Sequence, residues 1–208
     1  MPEPNLILAY PEQMETSYFA EFREAVSESE TELEEKQTKP MGPVNGIDWL
    51  MPTVVTVLIA KPFLDALTKK AANEFADYAY PKLKAAIKTL AAKIFIHERL
   101  SYVKITKDGP TDEDNSHILF SIRCGTRLEH QVKFVFEKTY SEMEYNDLID
   151  NVFETLTEHY LAEGHDDQLS TQIEGMPDPK LTTIAMTYDT TNNTWVARDI
   201  IGDLRHGG

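Results

Sequence analysis

The chain of 208 residues has one cysteine, Cys124, and therefore cannot form an intramolecular disulfide. This usage favours a reducing compartment, and we expect Cys124 to be a small buried hydrophobic residue on a strand. The N-terminus lacks the basic segment and adjoining apolar stretch of a secretory signal. Together these features predict a cytoplasmic protein.

Long apolar runs are also missing. The uncharged segment Trp49–Ala60 has 12 residues, whereas a membrane-spanning helix needs about 20, so no transmembrane span is predicted. Within it, Thr53–Ala60 is rich in β-branched residues and is typical of a buried core helix, a buried strand or a docking helix. We favour core, and the alternative is an oligomer interface through Val54, Val57 and Leu58.

Signature motifs of catalysis and ligand binding are absent. The sequence has no GxGxxG or Walker-type glycine loop, no HExxH, no paired CxxC and no GxSxG. One cysteine and scattered histidines do not supply a structural zinc site. The acidic turn Asp108–Asn115 lacks the ligand spacing of an EF-hand and is interpreted as a solvated loop. We therefore predict no cofactor and no metal.

What the chain does have is an uneven distribution of charge. The formal net charge of −15 divides into −8 for Met1–Asp48, +5 for Trp49–Asp108 and −12 for Gly109–Gly208. Binding to a phosphate backbone is driven by basic groups, so nucleic acid is not a predicted partner. A protein with a basic surface is the better electrostatic match.

The residue patterns predict an acidic N-terminal arm, residues 1–40, followed by one α+β domain, residues 45–208. In the arm, Asn5–Tyr10 is predicted to be a strand and Glu12–Gln37 a helix, within which the acidic run Ser27–Lys36 is either the frayed end of the helix or a mobile linker. The domain is predicted to be helical over 48–97 and to contain strands and one helix over 100–202. The predicted fold is an antiparallel sheet of about five strands packed against long helices, with a helical N-terminal half.

Within the helical region, Leu67–Ile96 has an apolar stripe and a lysine-rich outer face. This face could cradle an anionic surface, or its lysines could pair with the acidic flanks of the same chain. We favour pairing, because the compensating acids are already present.

Histidines and carboxylates cluster at the end of the predicted helix Tyr145–Leu161 and just after it. A histidine among carboxylates can bind a metal or transfer protons, although exposed loop residues are the simpler interpretation. The weak candidates for a catalytic site are Glu158, His159, His165 and Asp166.

Two classes of function remain. The first is a non-catalytic acidic protein-binding module, such as an inhibitor or immunity-type protein that covers a basic surface of its partner. The second is a small enzyme with a carboxylate and histidine site, and self-association as a structural or scaffold protein is compatible with either. For the first hypothesis, the predicted partner-binding residues are Glu28, Glu30, Glu32, Glu34, Glu35, Glu163, Asp166 and Asp167.

Overall fold

The computed structural model describes residues 6–29, 31–38, 55–60, 63–64, 73–96, 104–106, 109–111, 118–137, 141–176 and 183–198. Nine strands lie among these residues: β1 Leu6–Pro11, β2 Leu33–Thr38, β3 Val55–Ile59, β4 Lys104–Thr106, β5 Gly109–Thr111, β6 Ile118–Gly125, β7 Gln131–Glu137, β8 Thr183–Asp189 and β9 Thr194–Arg198. The helices in the same ranges are α1 Ala20–Glu28, α2 Asn73–Ile96, α3 Glu142–Leu161 and α4 Gln168–Glu174, and a 3₁₀ turn, Thr16–Phe19, precedes α1.

Seven of these strands form one mixed sheet. The strand order is β2-β1-β3-β6-β7-β8-β9, and β4 and β5 form a separate two-stranded antiparallel ribbon. The pairs β1–β2, β3–β6 and β7–β8 are parallel, whereas β1–β3, β6–β7 and β8–β9 are antiparallel. The prediction of α+β content is confirmed, but the predicted antiparallel sheet of about five strands is wrong.

Two strands that were not predicted, β2 and β3, lie in the N-terminal half. The prediction that this half is helical is therefore wrong. The predicted helix Glu12–Gln37 is replaced by the 3₁₀ turn, the nine-residue α1 and the strand β2. The strand β3 occupies part of the predicted helical region 48–97. Short apolar runs do not distinguish a buried helix from a buried strand, and here pairing with β1 and β6 decides the conformation.

Alternation along the strands places one apolar set of side chains against the helices. Val55, Val57 and Ile59 of β3 are buried, and Val57 pairs with Leu8 of β1 and Ile122 of β6 on the same face. The opposite face of the sheet is also buried at its centre, where Ser121, Lys133 and Ala185 have almost no exposed surface.

The helices form a layer in which each contacts the next in chain order, from α1 to α4. α2 presents the predicted apolar stripe to the core, and its buried members are Ala79, Leu83, Ala86, Ile87, Leu90 and Ile94. The Phe95 ring stacks on Tyr145 of α3 with centroids 3.4 Å apart and meets Phe120 of β6 edge-on. In the described part of the chain, no helix is long and apolar enough to cross a membrane.

The start of α3 is set by a capping box. The Ser141 hydroxyl accepts a hydrogen bond from the Glu144 amide, and the Glu144 carboxylate accepts one from the Ser141 amide. α3 then buries Ile149, Val152 and Leu156 in the same hydrophobic core cluster as the strand residues. The last turn of α3 carries Glu158 and His159, and the turn that follows it carries His165 and Asp166.

Candidate functional site

A buried polar cluster joins the end of α3 to α4 and to the β6–β7 hairpin. It consists of His159, Asp167, Ser170 and Arg127, and it is called the His159 cluster below. Asp167 caps the N-terminus of α4, because its Oδ1 accepts a hydrogen bond from the Ser170 amide at 2.9 Å. His159 Nδ1 lies 2.9 Å from the same Oδ1, and the Ser170 hydroxyl donates to Asp167 Oδ2 at 2.6 Å.

Arg127 completes the cluster from the hairpin. Its backbone amide donates a hydrogen bond to His159 Nε2 at 3.0 Å, so Nε2 is an acceptor and Nδ1 carries the proton that faces Asp167. The Arg127 guanidinium donates to the carbonyls of Ala162 and Gly164 in the turn between α3 and α4. These bonds tie the turn to the hairpin.

Burial and hydrogen bonding change the pKa values of the cluster in a consistent way. Burial alone would raise the pKa of Asp167, but hydrogen bonds from the side chain and amide of Ser170 and from His159 lower it to about 2. Burial lowers the pKa of His159, and the neighbouring Asp167 carboxylate only partly opposes this effect. At neutral pH the cluster therefore holds an ionised aspartate and a neutral histidine.

The three residue types of a hydrolytic triad are present in this cluster, but their geometry does not match one. In a triad the serine bonds to the histidine nitrogen opposite the aspartate, whereas Ser170 Oγ lies 3.2 Å from Nδ1, on the aspartate side. The other nitrogen, Nε2, is occupied by the Arg127 amide. His159 and Ser170 are also fully buried, so no substrate can reach them. The arrangement functions as a structural clamp.

The other candidates for a catalytic site do not join this cluster. Glu158 and Asp166 are exposed, and His165 is exposed with its Nδ1 against the Glu174 carboxylate. Within the described ranges, no group of three or more histidine, cysteine or carboxylate residues is placed to hold a metal ion. Cys124 is buried on β6, where burial raises the pKa of its thiol and keeps it protonated.

The lysine-rich face of α2 is neutralised by acids from both flanking segments. The Asp150 carboxylate of α3 forms ion pairs with two lysines: its Oδ1 lies 3.0 Å from Lys84 Nζ, and its Oδ2 lies 2.6 Å from Lys88 Nζ. From the N-terminal side, α1 supplies partners for two more α2 lysines, with Glu21 3.5 Å from Lys93 and Glu28 3.7 Å from Lys82. The observed pairs match the interpretation in which the basic segment is compensated by its own chain.

Several of the predicted N-terminal partner-binding acids are engaged within the protein. Glu28 pairs with Lys82, Glu34 with Lys36, and Glu35 with Arg23 and the Tyr10 hydroxyl. Hydrogen bonding from Arg23 lowers the pKa of Glu35 against the opposing effect of burial. Glu32 is exposed, and Glu30 lies outside the described residues.

In contrast, the segment Ser141–Met176 contains ten acidic residues and neither lysine nor arginine. Asp147, Glu154 and Glu158 project from the outer side of α3, are exposed, and form no ion pair among the described residues. Helical geometry puts them within a narrow arc, because residues three and four apart share a face. These three residues are called the α3 acidic face below.

The two most exposed large apolar side chains among the described residues lie on the same side of α3. Met143 is 73% exposed and Leu161 is 59% exposed. They are 18 residues apart, which is five full turns and about 27 Å along the helix. The α3 acidic face therefore lies between two exposed apolar residues.

The remaining predicted partner-binding acids lie in the turn after α3 and differ in their exposure. Glu163 and Asp166 are exposed in the turn, whereas Asp167 is buried in the His159 cluster and is not available to a partner. Asp147, Glu154 and Glu158 were not among the predicted binding residues, although Glu158 was a candidate for a catalytic site. The sequence does contain a signal that identifies this surface, because Ser141–Met176 has no lysine or arginine.

The predicted oligomer-interface residues lie on and beside β3. Val57 is fully buried in the centre of the sheet, and Leu58 is partly buried on the opposite face of β3. Val54 lies outside the described residues, as do Asp108 and residues 112–115 of the acidic turn, whereas Gly109–Thr111 of the predicted loop form β5.

Comparisons with protein-family models, curated proteins and solved structures found no significant match to this chain.

Proposed function

We propose that this protein is a non-catalytic protein-binding module that covers a basic surface of its partner, as an inhibitor or immunity-type protein does. The observation that carries this proposal is the α3 acidic face, where Asp147, Glu154 and Glu158 are exposed without ion pairs among the described residues. Such a surface speeds the encounter with a basic partner and disfavours acidic ones.

The internal use of the α2 lysines supports this choice. Because Lys82, Lys84, Lys88 and Lys93 are paired with acids of α1 and α3, the lysine-rich face of α2 is not an unbalanced cationic surface in the described part of the chain. The charge that remains for a partner is negative. This favours a basic protein over nucleic acid, whose phosphates require cationic contacts.

The α3 acidic face is a better candidate for the binding surface than the predicted N-terminal acids. Glu28, Glu34 and Glu35 already have cationic partners, so binding there would compete with existing contacts. The α3 acids lose no ion pair when a partner binds. A cytoplasmic location belongs to the same proposal, and the single buried thiol of Cys124 supports it.

The proposal is tested by affinity capture from the native cell's lysate with three tagged baits. The first is the unaltered chain, and the second carries Asp147→Asn, Glu154→Gln and Glu158→Gln. The third is a matched control with the same change in charge, Glu12→Gln, Glu24→Gln and Glu32→Gln, which alters exposed N-terminal acids.

We expect one basic protein to be retained at low salt by the unaltered bait and the control, and to be lost from the α3 variant and at high salt. If the α3 variant captures that protein as well as the unaltered chain does, the α3 acidic face is not the binding surface. If the N-terminal control loses it instead, the binding surface lies on the N-terminal acids.

A further inference from the structure

Beside the α3 acidic face lies a groove between α2 and α3. It has a volume of about 230 Å³ and is lined by Tyr80, Lys84, Phe153, Glu154, Thr157 and Glu158. Small-molecule sites usually enclose roughly 300–1,000 Å³, so a groove of this size suits one side chain of a larger partner.

The groove has an aromatic wall with its polar atoms already bonded. The Tyr80 hydroxyl is 2.8 Å from both the Phe153 carbonyl and the Thr157 hydroxyl, and the Tyr80 and Phe153 rings pack edge to face with centroids 5.1 Å apart. Phe153 is only 2% exposed, so an incoming group meets the ring of the partly exposed Tyr80 rather than an open hydroxyl.

The other side of the groove is anionic. Glu154 and Glu158 are one helical turn apart, and like charges at this spacing repel each other. Burial, together with the negative charge of Glu154 and Asp150, raises the pKa of Tyr80 to about 12. Lys84 is the one cation among the lining residues, and Asp150 holds it at 3.0 Å.

A second groove, between α1 and α2, provides an instructive contrast. It has a similar volume of about 200 Å³, and its acids are Glu21 and Glu28. Both acids have lysine partners on α2. The α2–α3 groove is the one whose acids, Glu154 and Glu158, have no ion pair among the described residues.

We infer that the groove between α2 and α3 receives an arginine side chain of the partner. The guanidinium would lie against the aromatic wall and donate hydrogen bonds to Glu154 and Glu158. This inference rests on the proposed function, because it names the group that the basic partner presents. Arginine fits better than lysine, since a planar guanidinium stacks on rings and bridges two carboxylates, whereas an ammonium is a strongly hydrated point charge.

The test measures binding of two blocked peptides, hexa-arginine and hexa-lysine, by calorimetry at low salt. The unaltered chain is compared with Glu154→Gln/Glu158→Gln and with the control Glu12→Gln/Glu24→Gln, which removes the same charge elsewhere. A third variant, Thr157→Met, fills the groove and leaves the acids in place. Thermal unfolding of every variant confirms that it is folded.

We expect the unaltered chain and the control to bind hexa-arginine about fivefold more tightly than hexa-lysine. The arginine preference should disappear in Glu154→Gln/Glu158→Gln and in Thr157→Met. If Thr157→Met is unfolded, the Glu154→Gln/Glu158→Gln variant, altered only on the surface, decides the question.

The outcomes separate this inference from the proposed function. Equal affinity of the unaltered chain for both peptides, with loss of both in Glu154→Gln/Glu158→Gln, would overturn the arginine groove and leave the α3 acidic face in place. If Glu154→Gln/Glu158→Gln and the control Glu12→Gln/Glu24→Gln weaken the binding of hexa-arginine equally, binding depends only on the total charge of the protein. That result would overturn the groove as the arginine site. If neither peptide binds the unaltered chain, both proposals fail.

Discussion

Replacing Asp167 by alanine should destabilise the protein strongly, although this residue lies in an acidic turn after α3. The pKa of Asp167 is about 2 against an ordinary value of 3.8, and this difference corresponds to roughly 2–3 kcal/mol of stability at neutral pH. The substitution also removes the cap of α4 and leaves two buried donors, on His159 and Ser170, without their acceptor. We expect a total loss of roughly 3–5 kcal/mol.

The assay is urea unfolding at pH 7, followed by circular dichroism. Asp166→Ala is the matched control, because Asp166 is the adjacent exposed aspartate, and it should change stability by less than about 0.5 kcal/mol. Equal losses of stability in Asp167→Ala and Asp166→Ala would refute the description of the His159 cluster as a buried clamp.

The contribution of Asp167 to the stability of the fold decreases at low pH. Because the pKa of Asp167 is lower in the folded protein than in the unfolded chain, its contribution is fully present above pH 3.8. It is lost as the pH falls through about 2. The stability difference between the unaltered chain and Asp167→Ala should therefore become smaller in that range.

Three other perturbations test the packing and the charge pairs. Because burial lowers the pKa of His159 in the folded protein, stability should fall as the pH drops below about 6.5, and His159→Gln should weaken that dependence in a thermal scan. Asp150→Asn removes the shared partner of Lys84 and Lys88, so we expect a loss of about 1 kcal/mol in urea unfolding that shrinks at high salt. Val57→Asp buries an unpaired charge in the core and should give an unfolded or insoluble product; a soluble folded monomer in sedimentation analysis would contradict the core position of Val57.

Sequence patterns located the elements whose burial is one-sided. The apolar stripe of α2 and the helical spacing of Tyr145–Leu161 coincide with helices in the structure, because a 3.6-residue period is a local property. Cys124 is buried on a strand, as expected from its size and surroundings. Each of these features depends on neighbours within a few residues.

The two missed N-terminal strands depend on distant partners. The sequence of β2, LEEKQT, is polar and charged, and it becomes a strand by pairing in parallel with β1, Leu6 opposite Leu33. β3 is ambiguous between helix and strand until β1 and β6 pair with it. A parallel pair requires a long connection, so no short hairpin signal marks it.

The His159 cluster shows the same limitation at the level of a site. His159 was expected among exposed residues at a helix end, whereas it is fully buried. Its burial depends on the Arg127 amide, 32 residues earlier in the chain, and on Asp167 turning back to cap α4. By contrast, the acidity of Ser141–Met176 is a compositional property that the sequence displays directly.

Site-specific crosslinking tests the binding surface most directly. Cys124 is buried and its thiol pKa is raised, so a cysteine introduced by Glu154→Cys or Glu24→Cys can be labelled selectively with a photoactivated crosslinker. In lysate at low salt, we predict an adduct with a basic protein from position 154 and none from position 24. An adduct from position 24 alone, or equal adducts from both positions, would contradict binding through the α3 acidic face.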